Sequence, residues 1–158
     1  MDRRVSGLTI RAATLADIPR AAEIFLKARL LAYSPIMPES VIRETAAPDL
    51  PIWRRWVEKE PPMFFLAETE AGVQGLLLLE ETRLDSLHVD PASHGHGLGR
   101  ALFEFARDQI GPGMDLVCLV GNDRAKRFYE KAGLRNAGRI DQPTGNLINQ
   151  AYRFVYDG

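Results

Sequence analysis

The sequence has little of what marks several specialised classes of protein. Its single cysteine leaves no partner for an internal disulfide bond. A formal net charge of −1 gives no excess of positive charge for binding nucleic acid or an anionic membrane surface. Apolar runs such as Leu76–Leu79 are too short to cross a bilayer, and the opening residues contain no apolar stretch of signal-peptide length. We therefore expect a cytoplasmic protein with no nucleic-acid or membrane partner.

The remaining composition is that of an ordinary globular domain. Hydrophobic residues make up 46% of the chain and charged residues 26%, which gives enough apolar material for a core. The sequence contains no internal repeat and no low-complexity tract. At this length, residues 1–158 are expected to form one domain.

Strand-like and helix-like patterns are mixed along the chain. Alternating or fully apolar runs predict seven strands, at about 8–12, 63–68, 73–80, 83–89, 114–121, 138–146 and 151–158. Helical spacing predicts helices at about 14–33, 97–110 and 122–133, with one or two short helices between 36 and 62. Leu76–Leu79 is apolar at every position, which predicts a central strand covered on both faces. The order does not alternate strictly, so we expect an α/β fold of the α+β kind, with a mixed sheet flanked by helices.

Three glycines, Gly95, Gly97 and Gly99, lie where a predicted strand gives way to the start of a predicted helix. The first N–H groups of a helix have no partner within it and carry partial positive charge, and glycine lets backbone come close to a ligand. The stretch therefore suits a phosphate or diphosphate. It is not a P-loop, because Arg100 follows Gly99, and it lacks the last glycine of a dinucleotide fingerprint. The alternative is a glycine-rich turn that only lets the helix pack closely.

Two motifs together resemble the GNAT superfamily of acetyl-CoA-dependent N-acetyltransferases. In "LHVDPASHGHGLGRAL" the matching residues are Leu87, Val89, Pro91, Gly97 and Gly99. In "NDRAKRFYEKAGL" they are Asn122, Ala125, Phe128, Tyr129, Gly133 and Leu134. The resemblance covers about residues 8–156 and implies the acyl-CoA N-acyltransferase fold, with a mostly antiparallel sheet of about seven strands. One departure is His94, where the family usually has Arg or Gln.

The resemblance implies that acetyl-CoA is the co-substrate, with its diphosphate on the N–H groups of residues 95–100. The pantetheine arm would run between the strand that ends at Val89 and the strand "DLVCLVG". The residues expected to bind it are Leu87, His88, Val89, His94, Gly95, His96, Gly97, Leu98, Gly99, Arg100, Asn122 and Phe128. Arg100 could instead pair with Glu104, and Asn122 is also the expected N-cap of its helix. No carboxylate or cysteine at ligand spacing joins the histidines, so we expect no metal.

The resemblance also implies direct attack by an amine on the thioester. Backbone N–H groups near Leu87–Val89 would polarise the thioester carbonyl, and Tyr129 would donate a proton to the leaving sulfur. Tyr129 could instead be a core residue, because it shares a helical stripe with Ala125 and Phe128. Cys118 lies in a predicted buried strand and is not expected to carry the acyl group.

The base and the acceptor are less sharply defined. Asp85 is the expected general base, Glu80 and Glu81 are alternatives, and all three could instead be solvated charges. Trp53 and Trp56 could line the acceptor pocket or cover the sheet. The acceptor is expected to be a primary amine of a small molecule or a protein.

The alternative functions are an acetyl-CoA-binding sensor or scaffold without turnover and an unrelated phosphate-binding enzyme. Dimers are common in the family, so a homodimer is compatible with the resemblance.

Overall fold

The computed structural model describes residues 2–5 and 7–158, and within these residues eight strands form one sheet. The strands are β1 (Arg3–Val5), β2 (Leu8–Ala12), β3 (Phe64–Thr69), β4 (Gly72–Glu80), β5 (Arg83–Val89), β6 (Asp115–Leu119), β7 (Arg135–Thr144) and β8 (Leu147–Val155). The helices are α1 (Ile18–Tyr33), α2 (Glu39–Glu44), α3 (Pro51–Glu58), α4 (Leu98–Ile110) and α5 (Asp123–Lys131).

The sheet order is β1-β2-β3-β4-β5-β6-β8-β7, and within the described chain only the β5–β6 contact is parallel. The prediction of a mixed, mostly antiparallel sheet flanked by helices is therefore confirmed. The additional strand is β1, which pairs with β2 across a tight turn at Gly7. Its three residues are too few to give the alternating pattern by which the other strands were predicted.

The central strand β4 separates two hydrophobic layers, as the run Leu76–Leu79 predicted. Leu77 and Leu79 pack with residues of α4, whereas Leu76 and Leu78 pack with residues of α1 and α3. Alternate side chains of a strand point to opposite faces, so a run that is apolar throughout serves both layers. Helices α1 and α4 therefore cover opposite faces of the sheet.

The tryptophans of α3 belong to the layer on the α1 side. Trp53 is buried against Phe25 and Phe64, and Trp56 packs edge-on against Trp53. The Trp53 Nε1 group donates a hydrogen bond to the Ala47 carbonyl at 2.9 Å. The two tryptophans therefore cover the sheet, and neither lines the main cavity described below.

Strands β5 and β6 are joined at one end and diverge from there. Their register contains one pair, Arg83 with Asp115. The buried Asp115 carboxylate accepts hydrogen bonds from Arg83 and Arg153, each at 2.8 Å at its shortest, and the Arg83 contact is the main cause of its lowered pKa. Beyond this point the facing edges of the two strands are not paired with each other. The sheet thus opens into a gap whose closed end is fixed by an ion-pair network.

Among the described residues, no helix combines the length and the apolar character that a membrane crossing requires.

Candidate active site

A cavity of about 900 Å³ lies at the gap between β5 and β6. Its walls include β5 and β6, the loop before α4, and the first turns of α4 and α5. From the opposite face of the sheet, α1, the end of β7 and the turn that follows it also contribute residues. Because α1 and α4 cover opposite faces, the cavity reaches both sides of the sheet.

The glycine loop forms one end of this cavity. Asp90 accepts a hydrogen bond from the Ala92 N–H at 3.0 Å, which starts a 3-10 turn at Pro91–Ser93. Gly95 and Gly97 then have φ values of 84° and 79°, which residues other than glycine rarely adopt. A Cβ atom at either glycine would have no other atom within 4 Å, so the space next to this backbone is open.

Helix α4 begins immediately after Gly97 with no side chain capping it. Its first N–H groups therefore have no partner within the helix. The alternative reading, a turn needed only for close packing, does not account for Gly95 and Gly97. A Cβ at Gly99 would make only ordinary contacts, 3.8 Å from Val89 and 3.9 Å from Leu87. Close packing instead requires Gly75, where a Cβ would lie 3.0 Å from Leu102.

His94, the departure from the family motif, is paired with an arginine from another helix. Arg124 of α5 donates a hydrogen bond to the His94 Nδ1 atom at 2.8 Å, and both residues line the cavity. Burial and the Arg124 charge lower the pKa of His94, so its imidazole is neutral near pH 7. The cation at this position is thus Arg124, which the sequence motif did not identify because it lies 30 residues away.

All but one of the residues expected to bind the co-substrate line this cavity; the exception is His96. The His96 side chain is exposed, with Nδ1 3.2 Å from the Ser93 carbonyl oxygen. Arg100 lines the cavity while its Nε atom donates to Glu104 at 3.0 Å. The Asn122 Oδ1 atom accepts a hydrogen bond from the Ala125 N–H at 3.4 Å, which confirms the predicted N-cap of α5.

Tyr129 is both a core residue and a cavity residue. Its ring lies among the rings of Phe103, Phe128 and Phe154, at centroid distances of 6.1, 5.3 and 6.1 Å. It also lines the cavity. Burial raises the pKa of its hydroxyl, with smaller effects from Tyr33 and Cys118. The hydroxyl is therefore protonated at physiological pH and is available as a proton donor.

Asp85 lines the same cavity and lies at an irregularity in β5. In the register with β4, Leu78 pairs with Ser86 and Leu79 pairs with Leu84, so Asp85 is the extra residue of a β-bulge. Its side chain is solvent-accessible, but the surrounding cavity walls raise its pKa, and the Glu80 charge raises it further. Glu80 and Glu81 are exposed and lie outside the cavity lining.

Three further polar residues of the cavity come from α1 and β5 on the other face of the sheet. The His88 ring packs edge-on against Phe25 at 5.1 Å between centroids. Burial, and to a lesser extent the charge of Arg29, lowers the pKa of His88 to about 3, so the ring is neutral. Tyr33 is neutral as well, because burial raises its pKa. Nothing in the sequence marked Arg29 or Tyr33, since both lie in an ordinary amphipathic helix.

Cys118 lies on β6 and also lines the cavity. Burial raises the pKa of its thiol to about 11, and the Sγ atom lies 3.7 Å from the Asn122 carbonyl oxygen. A thiol with a raised pKa is a poor nucleophile at neutral pH.

Comparison with known proteins identifies the family. Residues 60–135 match the sequence model described as "Acetyltransferase (GNAT) domain". The chain is 30% identical over 109 residues to the Escherichia coli "Peptidyl-lysine N-acetyltransferase YjaB", covering 66% of each protein. The chain belongs to the GNAT superfamily. The matched range of this GNAT chain contains the bulge at Asp85, the glycine loop and Tyr129.

The YjaB protein of Salmonella typhimurium is 29% identical over 94 residues, which cover 60% of this chain. These alignments span 57% and 66% of the two YjaB proteins. Among solved structures, the Thermoplasma acidophilum PaiA N-acetyltransferase in complex with coenzyme A has a TM-score of 0.71 and 18% identity. That alignment covers 96% of this chain and all of the other, so the GNAT acyltransferase fold extends over nearly the whole protein.

Proposed function

We propose that this protein is an N-acetyltransferase that moves an acetyl group from acetyl-CoA to a primary amine by direct attack. The observation that carries the proposal is the cavity in the gap between β5 and β6, which joins the amino end of α4 to the opposite face of the sheet. A site of this shape lets an acyl donor enter from one face and an acceptor from the other.

The α4 end of the cavity fits an anionic diphosphate. Gly95 and Gly97 leave open space beside the backbone, and the first N–H groups of α4 carry partial positive charge. Arg124 adds a full positive charge beside His94. The unpaired edges of β5 and β6 would supply N–H and C=O groups to the pantetheine arm.

Acetyl-CoA supplies the acetyl group as a reactive thioester. For this chain we assign two proton-transfer roles. Asp85 takes the proton of the acceptor ammonium, because a carboxylate with a raised pKa is a better base than an ordinary one. Tyr129 donates a proton to the departing sulfur, because its buried hydroxyl remains protonated. Glu80 and Glu81 are poorer candidates for the base, since neither lines the cavity.

A primary amine is proposed as the acceptor because the curated relatives are named peptidyl-lysine N-acetyltransferases, and a lysine side chain ends in such an amine. The cytoplasmic location and a homodimeric state stay predictions.

The role of Tyr129 is tested by Tyr129→Phe, with Tyr156→Phe as the matched control. Tyr156 is half-buried and lies outside the cavity. Thiol release from acetyl-CoA is followed with a panel of amines, and acetyl-CoA binding is measured separately by calorimetry. We expect turnover to fall about 100-fold in Tyr129→Phe while binding persists, because general acid catalysis typically contributes this much or more. The control Tyr156→Phe should retain both turnover and acetyl-CoA binding.

Unchanged turnover in Tyr129→Phe would make Tyr129 a core residue only. If the wild type binds acetyl-CoA but acetylates no amine, the sensor alternative replaces the proposal.

A further inference from the structure

Three charged side chains are buried in the part of the chain that the structure describes, and one of them has no partner of opposite charge. Asp90 and Asp115 each form ion pairs with arginine at 2.8 Å. Arg29 is only 6% exposed and forms no ion pair with a carboxylate among the described residues. Arginine stays protonated in proteins, so the charge is present, and a buried charge without a counterion is unfavourable.

The contacts of Arg29 fix its guanidinium without neutralising it. Its Nη1 atom donates to the Ile42 carbonyl at 3.1 Å and to the Thr45 Oγ1 atom at 2.9 Å. The guanidinium lies over the rings of Phe25 and Tyr33, at 4.8 and 5.7 Å from their centroids. These contacts use one of its three nitrogens.

The other two nitrogens of Arg29 remain available for a ligand. Neither makes a hydrogen bond to any described residue, and neither is sealed away from solvent-accessible space. Arg29 lines the cavity, and its two unbonded nitrogens are not among the fully buried polar atoms without a partner. A guanidinium held in this way presents a rigid pair of donors that matches a carboxylate.

The surroundings of Arg29 offer no competing anion. His88 and Tyr33 are neutral near pH 7. Asp85 lines the same cavity, but it forms no ion pair with Arg29. The acceptor half of the cavity therefore holds a fixed positive charge and, at a separate position, a carboxylate.

We propose that Arg29 binds a carboxylate of the acceptor, so that the acceptor is a small molecule with both a primary amine and a carboxylate. The assignment rests on the proposed function, in which Asp85 receives the proton of the amine. Only a group that enters the cavity can reach a guanidinium buried to this degree. A lysine on the surface of a folded protein would bring in its amine but no carboxylate.

The test compares amino carboxylates with their amides, for example β-alanine with β-alaninamide and lysine with lysinamide. Each pair is assayed by thiol release from acetyl-CoA with the wild type, Arg29→Gln, Arg29→Lys and Thr45→Val. Because amidation also changes the pKa of the amine, the quantity compared between proteins is the carboxylate-to-amide ratio of kcat/KM. We expect this ratio to fall by about 10- to 100-fold in Arg29→Gln, the loss typical of a charge-assisted hydrogen bond. The ratio should fall less in Arg29→Lys, because lysine keeps a positive charge.

Thr45→Val removes one hydrogen bond that holds the guanidinium but keeps its charge, so the ratio should fall less than in Arg29→Gln. If Arg29→Gln does not fold, Arg29→Lys carries the comparison. A second readout is the shift of the melting temperature by each carboxylate or amide without acetyl-CoA. The carboxylate members should stabilise the wild type more than the amides do, and this difference should vanish in Arg29→Gln.

A carboxylate-to-amide ratio that is the same in Arg29→Gln as in the wild type would overturn the role of Arg29 and leave the acetyltransferase proposal standing. Stabilisation by carboxylates that depends on Arg29, without turnover of any amine, would support the Arg29 site and count against the acetyltransferase proposal.

Discussion

At Asp85, the backbone bulge sets the position of the side chain, and the cavity walls and a nearby charge set its pKa. The bulge in β5 makes Asp85 an extra residue opposite β4, and the residue lines the cavity. The cavity walls and the nearby Glu80 charge raise the pKa of its carboxylate. A base works in its deprotonated form, so turnover should be present above this pKa and be lost as the pH falls through it.

The loss of activity below the pKa of Asp85 gives a prediction for the pH profile of kcat/KM. Asp85→Asn should lower kcat/KM and remove the acidic limb that Asp85 causes. Glu80→Gln should keep the limb but move it to lower pH, because the negative charge of Glu80 is one cause of the raised pKa of Asp85. The measurement is kcat/KM against pH for the wild type and both variants.

Glu81→Gln is the matched control, because it removes a neighbouring exposed charge that does not contribute to the shift at Asp85. Its acidic limb should coincide with that of the wild type. An unchanged limb in Asp85→Asn would assign the base to another group.

At the scale of elements, the loop before α4 combines two requirements in the same residues. Positive φ at Gly95 and Gly97 turns the chain into the helix, and the missing Cβ atoms leave space beside the N–H groups. The first requirement concerns folding and the second concerns a ligand. A substitution that adds a Cβ therefore acts on both stability and binding.

The two effects are separated by comparing Gly97→Ala with Gly133→Ala. Both glycines have positive φ, 79° and 90°, and at both a Cβ would meet no other atom within 4 Å. Only Gly97 lines the cavity. Each variant should lose about 1–2 kcal/mol of unfolding free energy, the usual destabilisation when a side chain is placed in the left-handed region. Denaturant unfolding measures this loss.

Calorimetry with acetyl-CoA then measures the second effect. Gly97→Ala should weaken binding, while Gly133→Ala should bind as the wild type does. Equal affinities in the two variants would mean that the glycine loop does not contact the co-substrate.

At the scale of the whole molecule, the gap between β5 and β6 connects the two layers. Helices α1 and α4 cover opposite faces, and an intact sheet would keep them apart. One pair of residues, Arg83 and Asp115, joins the two strands, and the cavity occupies the space beyond it. The proposed donor and acceptor positions thus meet inside the sheet, shielded by both layers.

The parts of this architecture that were predictable are those that short segments determine. The run Leu76–Leu79 predicted the central strand, and Asn122 predicted the start of α5, because burial pattern and capping are local properties. The bulge at Asp85 was not predictable, since it depends on the register between two strands.

The charged contacts of the cavity were also not predictable from the sequence. Arg124 reaches His94 across 30 residues, and the unpaired state of Arg29 becomes visible only when every potential carboxylate partner has been placed. Trp53 was ambiguous for the same reason, because an aromatic stripe on a short helix can face a pocket or a sheet until the packing is known. Tertiary contacts, and not local pattern, decide such side chains.

The most direct test of the account is a titration of ¹⁵N-labelled protein with coenzyme A, followed by the amide resonances. We expect saturable changes concentrated at residues 95–100, with further changes along the facing edges of β5 and β6 and little change in β1–β3. No saturable change, or changes concentrated away from the amino end of α4 and the gap, would contradict it.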